Sequence, residues 1–250
     1  MNLIIGRKPV LEAINSGEEI DQIFILYGQR GGIIDAIRIA AKKKGIKCSE
    51  VSSDKFKSIT TNQNAQGIAA IKTNQKYFQL DEIISSAKKS EYPLILILDS
   101  IQDTHNLGAI IRTADCSGVD GVVITKHNSA PVNATVVKTS AGATEHVKIC
   151  SVNNLAQSIK ELKDNGFWIV GSSLEYSSEG NPLGKEYTQV DYKIPLALVV
   201  GNEEKGIRRL TAESCDFLVH IPMKGKIQSL NVSVATGILL FEVLRQRKNN

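Results

Sequence analysis

Three stretches of this chain place polar side chains directly behind apolar runs, and their residue types suit binding and positioning rather than covalent chemistry. The first follows Leu94-Ile-Leu-Ile-Leu98 and reads Asp99-Ser-Ile-Gln-Asp-Thr-His-Asn-Leu-Gly-Ala-Ile-Ile-Arg-Thr-Ala114. There Asn106 stands where a helix N-cap is expected, Gly108 permits close backbone approach, and Arg112 follows inside the helix. The second follows Val200 and reads Gly201-Asn-Glu-Glu-Lys-Gly-Ile-Arg-Arg209. Two glycines bracket paired acids and a lysine, a turn able to lay backbone groups against a ligand while Glu203 faces a basic partner. The third, Ile221-Pro-Met-Lys-Gly-Lys-Ile-Gln-Ser-Leu-Asn231, brings Gln228, Ser229 and Asn231 to the first turn of a long helix. Free N–H groups at such a turn can hold a ligand. Read singly, each stretch has an ordinary account: a capped core helix, a charged turn, a packed C-terminal helix with a polar cap.

Other chemistries leave no trace. Cys48, Cys116, Cys150 and Cys215 are widely spaced, and no histidine stands near them at ligand spacing, so neither a zinc site nor a disulfide frame is expected and the cysteines read as small core residues of a reducing compartment. His105, His127, His146 and His220 are equally scattered, and no metal is expected. The phosphate loop pattern G-x-x-x-x-G-K-[ST] is absent, and no G-x-G-x-x-G follows a strand. No apolar run approaches the roughly 20 residues of a membrane helix, and the first residues carry their charge after the apolar patch rather than before it. A cytoplasmic location is expected.

The elements that must position these residues follow from hydrophobic period. In the first third, helices are expected over Arg7–Ser16, Ile33–Lys44 and, capped by Ser53, over Asp54–Ile59, with strands over Ile20–Tyr27, Ile46–Val51 and Gly67–Ile71. Farther along, the run Leu94–Leu98 is apolar on both faces, as a central parallel strand should be. Strands are also expected at Gly121–Thr125, Val147–Cys150, Phe167–Gly171, Leu196–Val200 and Phe217–Ile221. Helices alternate with them over Leu107–Ser117, Val132–Lys138 and Leu155–Asn165, and Val232–Leu244 forms a last, broadly apolar helix. The alternation predicts an open parallel α/β sheet, whose ligands bind at the carboxyl ends of the strands. All three polar stretches sit there.

The expected organisation is a small α/β domain over residues 1–73, a linker over 74–91 that holds a short helix around Leu80–Lys89, and a larger domain over 92–250. The net charge of +4 is unevenly spread. Through Lys72 the chain carries 11 lysines and arginines against 7 acids, so the whole excess lies in the first third, as an appended RNA-binding domain would show, although a solvated helix face also explains the run Arg38 to Lys47. The width of the apolar surface on the last helix, from Val232 to Leu244, indicates burial on two sides and a subunit interface.

In order and spacing, the three stretches resemble the three motifs of the SpoU (TrmH) family of SPOUT RNA 2′-O-ribose methyltransferases. The likeness runs from Leu94 to Arg247 and rests on Asn106-Leu-Gly-Ala-Ile-Ile-Arg-Thr-Ala114, Val200-Gly-Asn-Glu-Glu-Lys-Gly-Ile207, and Ile221-Pro-Met with Ser229-Leu-Asn-Val-Ser-Val-Ala235. The first third, through Gly6-Arg7-Lys8-Pro9-Val10 and Ala65-Gln66-Gly67, is similar to the L30e-like RNA substrate-binding domain that many members carry. The branch it resembles methylates a guanosine ribose in 23S ribosomal RNA. The resemblance implies S-adenosylmethionine as cofactor, RNA as partner, neither DNA nor membrane, a homodimer, and a C-terminal trefoil knot that an ordinary parallel sheet lacks. It implies that Gly201, Ile221 and Leu230 bind the cofactor through their backbones, with Ser172 and Leu174 alongside, and that Asn106, Arg112, Glu203, Ser229 and Asn231 serve catalysis or RNA contact. One departure is Asn202-Glu203-Glu204, where members more usually carry a small residue, Glu and Gly.

A ribose hydroxyl is a poor nucleophile unless its proton is taken or weakened. No histidine occupies a motif. Glu203 would normally ionise near about 4.3, and a guanidinium holds its proton to above about 12. The expected arrangement therefore has Arg112 clamping the target phosphate and polarising the hydroxyl, the phosphate relaying the proton, and Glu203 orienting the arginine. The alternatives are a transfer-RNA ribose methylase of the same family, and an RNA-binding or assembly protein that keeps the fold without the reaction.

Overall fold

The computed structural model describes residues 3–18, 20–72, 75–173, 184–202, 205–226 and 229–248. The chain divides into two compact units, Met1–Gln75 with Pro131–Ala134, and Lys76–Ala130 with Thr135–Asn250.

The first unit runs β1 (Leu3–Ile5), α1 (Arg7–Ser16), β2 (Ile20–Leu26), α2 (Gly32–Lys43), β3 (Lys47–Val51), α3 (Ser53–Ile59) and β4 (Ile68–Lys72). Its sheet has the order β1-β4-β2-β3, with only β2 and β3 parallel. The two-residue period of β2 builds both cores. Ile23 and Ile25 pack with Val10 and Ile14 of α1 and Ile34 and Ile37 of α2, while Phe24 and Leu26 turn to Phe56 of α3 on the other face. The helix α1 stops at Gly17, whose φ of 80° lets its N–H return to the carbonyls of Ala13 and Ile14. Two details depart from expectation: β1 was not foreseen, and Ser52 rather than Ser53 caps α3, accepting from Lys55 N.

The second unit continues α4 (Leu80–Ala87), β5 (Leu94–Asp99), α5 (Thr104–Cys116), β6 (Gly121–Thr125), α6 (Ala134–Thr139), β7 (Ile149–Val152), α7 (Leu155–Asp164), β8 (Trp168–Ser172), β9 (Lys185–Glu186), β10 (Leu196–Gly201), α8 (Arg209–Glu213), β11 (Phe217–His220) and α9 (Val232–Lys248). Seven strands form one sheet in the order β7-β6-β5-β10-β8-β11-β9, each pair parallel. The open parallel sheet expected from the sequence is present, with β9 as an added edge. Every residue of β5 is buried, and each such apolar side chain contributes roughly 1.5–3 kcal/mol.

On one face Ile95, Ile97, Ala197, Val199 and Ile169 pack with α4 and α7. The expectation of a linker over 74–91 gives way here. Leu80, Ile83, Ile84 and Ala87 of α4 belong to this core, and Gly121 has no room for a Cβ because Ile83 lies against it. The other face is covered by α9, which packs on β10 and on α5. The far end of α9 is fixed by Arg247, which donates to the carbonyls of Tyr92 (2.7 Å), Tyr192 (3.0 Å) and Ile194 (3.0 Å). Burial lowers the Arg247 pKa to about 10, so the guanidinium stays charged at neutral pH, held by these carbonyls and lying 5.7 Å from the Tyr92 ring centre. Among the described residues no helix is long and apolar enough to cross a membrane.

Candidate active site

The strand order brings the polar stretches together. β5, β10, β8 and β11 are consecutive neighbours, and Asp99, Gly201, Ser172 and His220 end them side by side. Register makes the proximity concrete: Gly201 pairs with Asp99, and Val219 with Ser172. The chain winds outward from β5 to β6 and β7, then returns on the opposite side of β10. The boundary between β5 and β10 is therefore the topological switch point at which such sheets take ligands.

At the end of β10 the backbone folds on itself. Asn202 and Gly206 exchange N–H to O bonds of 2.9 and 2.8 Å. A Cβ on Gly201 would collide with the backbone of Gly206 and Ile207, so glycine is required by the tightness of this hairpin. The hairpin is tied to the loop after β5 at two points. Asn202 Nδ2 donates to Ser100 O at 3.2 Å, and the fully buried Asp99 carboxylate accepts from Arg208 N at 3.0 Å and Arg208 Nε at 2.7 Å. Ser100, with φ 66° and its hydroxyl donating to Asp99 Oδ1, turns the chain away from the strand.

The third stretch meets the first directly. Asn231 Nδ2 donates to Asn106 Oδ1 at 3.0 Å, while Asn231 Oδ1 accepts from Ser233 N at 2.9 Å and Ser233 Oγ at 2.6 Å. Asn231 thus caps α9 and bridges it to α5. Asn106 itself is not the N-cap that its sequence position implied. Asp103 caps α5 by accepting from Asn106 N at 2.7 Å, which sets Asn106 in the first turn, where its Oδ1 accepts from Asn231 of α9. Gly108 also plays another part than expected. Its bare Cα faces Thr139 and the Val136 carbonyl of α6, so the close approach is helix to helix and not backbone to ligand.

Ser172, at the end of the strand next to Gly201, is half-buried, as are Ile221 just past β11, one strand farther along the sheet, and Leu230 where the chain enters α9; Ser229 is exposed next to it. Arg112 is exposed on α5, six residues past Asn106 and therefore about 120° around the helix from it. Its guanidinium lies outside the Asn106–Asn231 contact. Glu203, Leu174 and Gln228 fall outside the described residues. Three participants were missed. Asp99 and Arg208 brace the hairpin; Asp99 was signalled only as a charge at the end of an apolar strand, and Arg208 only as a basic residue of the loop after β10. His220 ends β11 with its Nδ1 buried and without a hydrogen-bond partner among the described residues, a polar atom left for something that the described residues do not supply. Among the described residues no group of His, Cys, Asp and Glu could hold a metal ion.

The sequence model of the SpoU rRNA Methylase family matches residues 93–241 of this chain. The chain belongs to the SpoU family. A second model, for the substrate-binding domain of RNA 2′-O ribose methyltransferases, matches residues 3–78. Among curated sequences, the Bacillus subtilis protein named "Putative TrmH family tRNA/rRNA methyltransferase YacO" is 39% identical over 98% of this chain and 95% of its own length. Among solved structures, the AdoMet-bound rRNA methyltransferase of Sinorhizobium meliloti aligns over 97% of this chain and 86% of that one, with TM-score 0.61 and 29% identity. The A. aeolicus TrmH/SpoU tRNA modifying enzyme aligns over 68% of this chain and 82% of that one, with TM-score 0.57 and 37% identity. The exposed Arg112, the braced hairpin after Gly201 and the Asn231 corner are thus parts of a SpoU methylase.

Proposed function

We propose that this SpoU protein transfers a methyl group from S-adenosylmethionine to the ribose 2′-hydroxyl of a guanosine in 23S ribosomal RNA. The observation that carries the reading is the convergence of three motif loops on adjacent strand ends, sealed by the Asn106–Asn231 hydrogen bond. The likeness to the S. meliloti rRNA methyltransferase, which runs through both units, favours ribosomal over transfer RNA. The other enzyme, a tRNA modifier, aligns over much less of the chain.

The residues at the strand ends fit the cofactor. Gly201 itself presents bare backbone at the end of β10, and His220 Nδ1, without a hydrogen-bond partner among the described residues, stands next to Ile221 in the chain. Backbone groups of Gly201, Ile221 and Leu230 hold S-adenosylmethionine, with Ser172 and Leu174 flanking it. When bound, it supplies an electrophilic methyl carbon on a sulfonium. Catalysis by the chain is then a matter of positioning and electrostatics. Asn106, Ser229 and Asn231 form the polar corner that orients the ribose, and Arg112 clamps the neighbouring phosphate and draws charge from the hydroxyl while Glu203 holds the guanidinium. The first unit binds the RNA, the carboxyl-terminal stretch is knotted around the cofactor, and the enzyme works in the cytoplasm as a homodimer. The support for a dimer is the outer face of α9, where Val234 and Phe241 are each half-exposed with Ile238 between them at helical spacing.

The test is incubation with labelled cofactor and total ribosomal and transfer RNA, with ribose methylation mapped by resistance to alkaline cleavage. Label on 23S RNA at a guanosine supports the reading, and label on transfer RNA alone replaces it with the second one. Arg112→Ala should lower single-turnover methylation at least about a hundredfold, the scale of a lost electrostatic stabiliser, and leave cofactor affinity unchanged. Full activity in that variant removes Arg112 from the reaction.

A further inference from the structure

At the opposite end of the sheet from the cofactor corner lies a pocket that the reaction does not use. Trp168 begins β8 and Phe217 begins β11. Their rings stack with centroids 5.5 Å apart and planes 24° from parallel, and Trp168 remains 46% exposed. Lys185 on the edge strand β9 sets its ammonium 5.6 Å from the Phe217 ring centre. Gln189, Val190, Asp191 and Ile194 complete a cavity of about 390 Å³. Trp168 is four residues before Ser172 on the same strand, so the pocket sits on the order of 13 Å from the catalytic end.

We propose that this pocket receives an unpaired nucleobase of the substrate RNA, so that the transferase unit grips its substrate at a second point beyond the target nucleotide. The inference rests on the reading of the chain as an RNA methylase. A half-exposed tryptophan backed by a second ring is a stacking platform for any base, since every base has a π-face. A lysine at its rim supplies the charge that a phosphate requires. The polar lining distinguishes the occupant from a second copy of this chain. Gln189 offers both donor and acceptor, and Asp191, which spends Oδ1 on Lys193 N at 2.9 Å, places a carboxylate beside the rings. Such groups match the Watson–Crick edge of an unpaired base and would be desolvated at a loss in an apolar subunit contact. The apolar stripe that does suit a second copy lies on α9, in Val234, Ile238 and Phe241.

Trp168 is the only tryptophan of the chain, so its fluorescence reports on this pocket alone. The experiment titrates the full-length protein with a short single-stranded RNA oligonucleotide and with the same oligonucleotide as a duplex, at low and high salt. The single strand should quench Trp168 emission, the duplex should not, and the quench should weaken as salt rises. In methylation kinetics Trp168→Ala should raise KM for RNA about five- to hundredfold, the range of one lost base stack, at unchanged kcat. Trp168→Phe should restore most of it, and Lys185→Gln should lower the salt dependence of RNA binding by about one unit of slope. RNA binding with no change in Trp168 emission overturns the proposal, as does a change of oligomeric state in Trp168→Ala, which would assign the surface to a second copy. The quench needs no methyl transfer, so the two readings fail separately. Quenching without methylation of any RNA removes the proposed reaction, whereas methylation with unmoved emission removes only the pocket.

Discussion

Asp99→Ala tests whether the hairpin that presents Gly201 is held from behind. The Asp99 carboxylate is fully buried and accepts from Arg208 N at 3.0 Å, Arg208 Nε at 2.7 Å and Ser100 Oγ at 3.1 Å. Removing one partner of an ion pair buried on both sides costs about 3–5 kcal/mol. Here the Arg208 side chain is 53% exposed and regains water once released, so the guanidinium part shrinks towards the ~0–1 kcal/mol of a surface pair. The backbone N–H of Arg208 and the Ser100 hydroxyl lose their acceptor, at about 1 kcal/mol or somewhat more each. The total is about 2–3 kcal/mol. In a unit of this size that lowers the unfolding midpoint by roughly 5–10 °C. Because Gly201 pairs with Asp99 and Arg208 closes the far side of the same hairpin, the loosened loop should also lose cofactor affinity, by about 30- to 150-fold if the whole energy is needed for binding. Thermal melts and calorimetric titration with S-adenosylmethionine read the two effects. Asp99→Asn, which keeps one acceptor oxygen, should fall between wild type and Ala. An Asp99→Ala protein that melts and binds as wild type would falsify the bracing role.

Other outcomes follow from the site and from the core. Gly201→Ala puts a Cβ into the backbone of Gly206 and Ile207, which cannot rotate away, and it should cost about 1–3 kcal/mol and abolish measurable cofactor binding in calorimetry. Asn231→Ala removes both the cap of α9 and the link to Asn106; it should cost about 1–2 kcal/mol in a urea melt and lower turnover. If Asn231→Ala and Ser229→Ala both leave turnover untouched, the corner is structural only. Burial pushes the thiols of Cys150 and Cys215 up to about 11 and about 12, so both stay protonated in the folded protein at pH 8, and an aromatic disulfide reagent should label exposed Cys116 well before either. Both folded values lie above the unfolded value of 9.0, so the contribution of these thiols to stability is whole below pH 9 and lost as pH rises towards 11–12; urea midpoints should fall across that window.

Much of the secondary structure was legible because its cause is local. The alternation of Ile23, Phe24 and Ile25 and the unbroken run Leu94–Leu98 report a two-sided and a buried strand without reference to the rest of the chain. Gly17 marks the end of α1 by the left-handed conformation it alone adopts cheaply. The errors have equally plain causes. Strand β9 is two residues long and owes its existence to pairing with β11, so no period announces it. Asn106 and Asp103 are both good caps, and the choice fell to Asp103, which starts the helix at Thr104. The short helix before β5 could have served as a linker, and its burial depends on Gly121 yielding space to Ile83 from another strand.

The sequence alone determined which residues stood behind apolar strands, and through their order and spacing it pointed to the family. It could not determine which of them meet. Asn106 and Asn231 are 125 positions apart, and Asp99 and Arg208 are 109 apart. Their contacts depend on β10 inserting between β5 and β8, an order that hydrophobic period leaves open because every parallel strand of a buried sheet carries the same apolar pattern. The Trp168–Phe217 platform has the same origin, two strand beginnings made neighbours by the sheet. Side-chain types set what chemistry was possible; the strand order, which only the packed structure decides, set where it could happen.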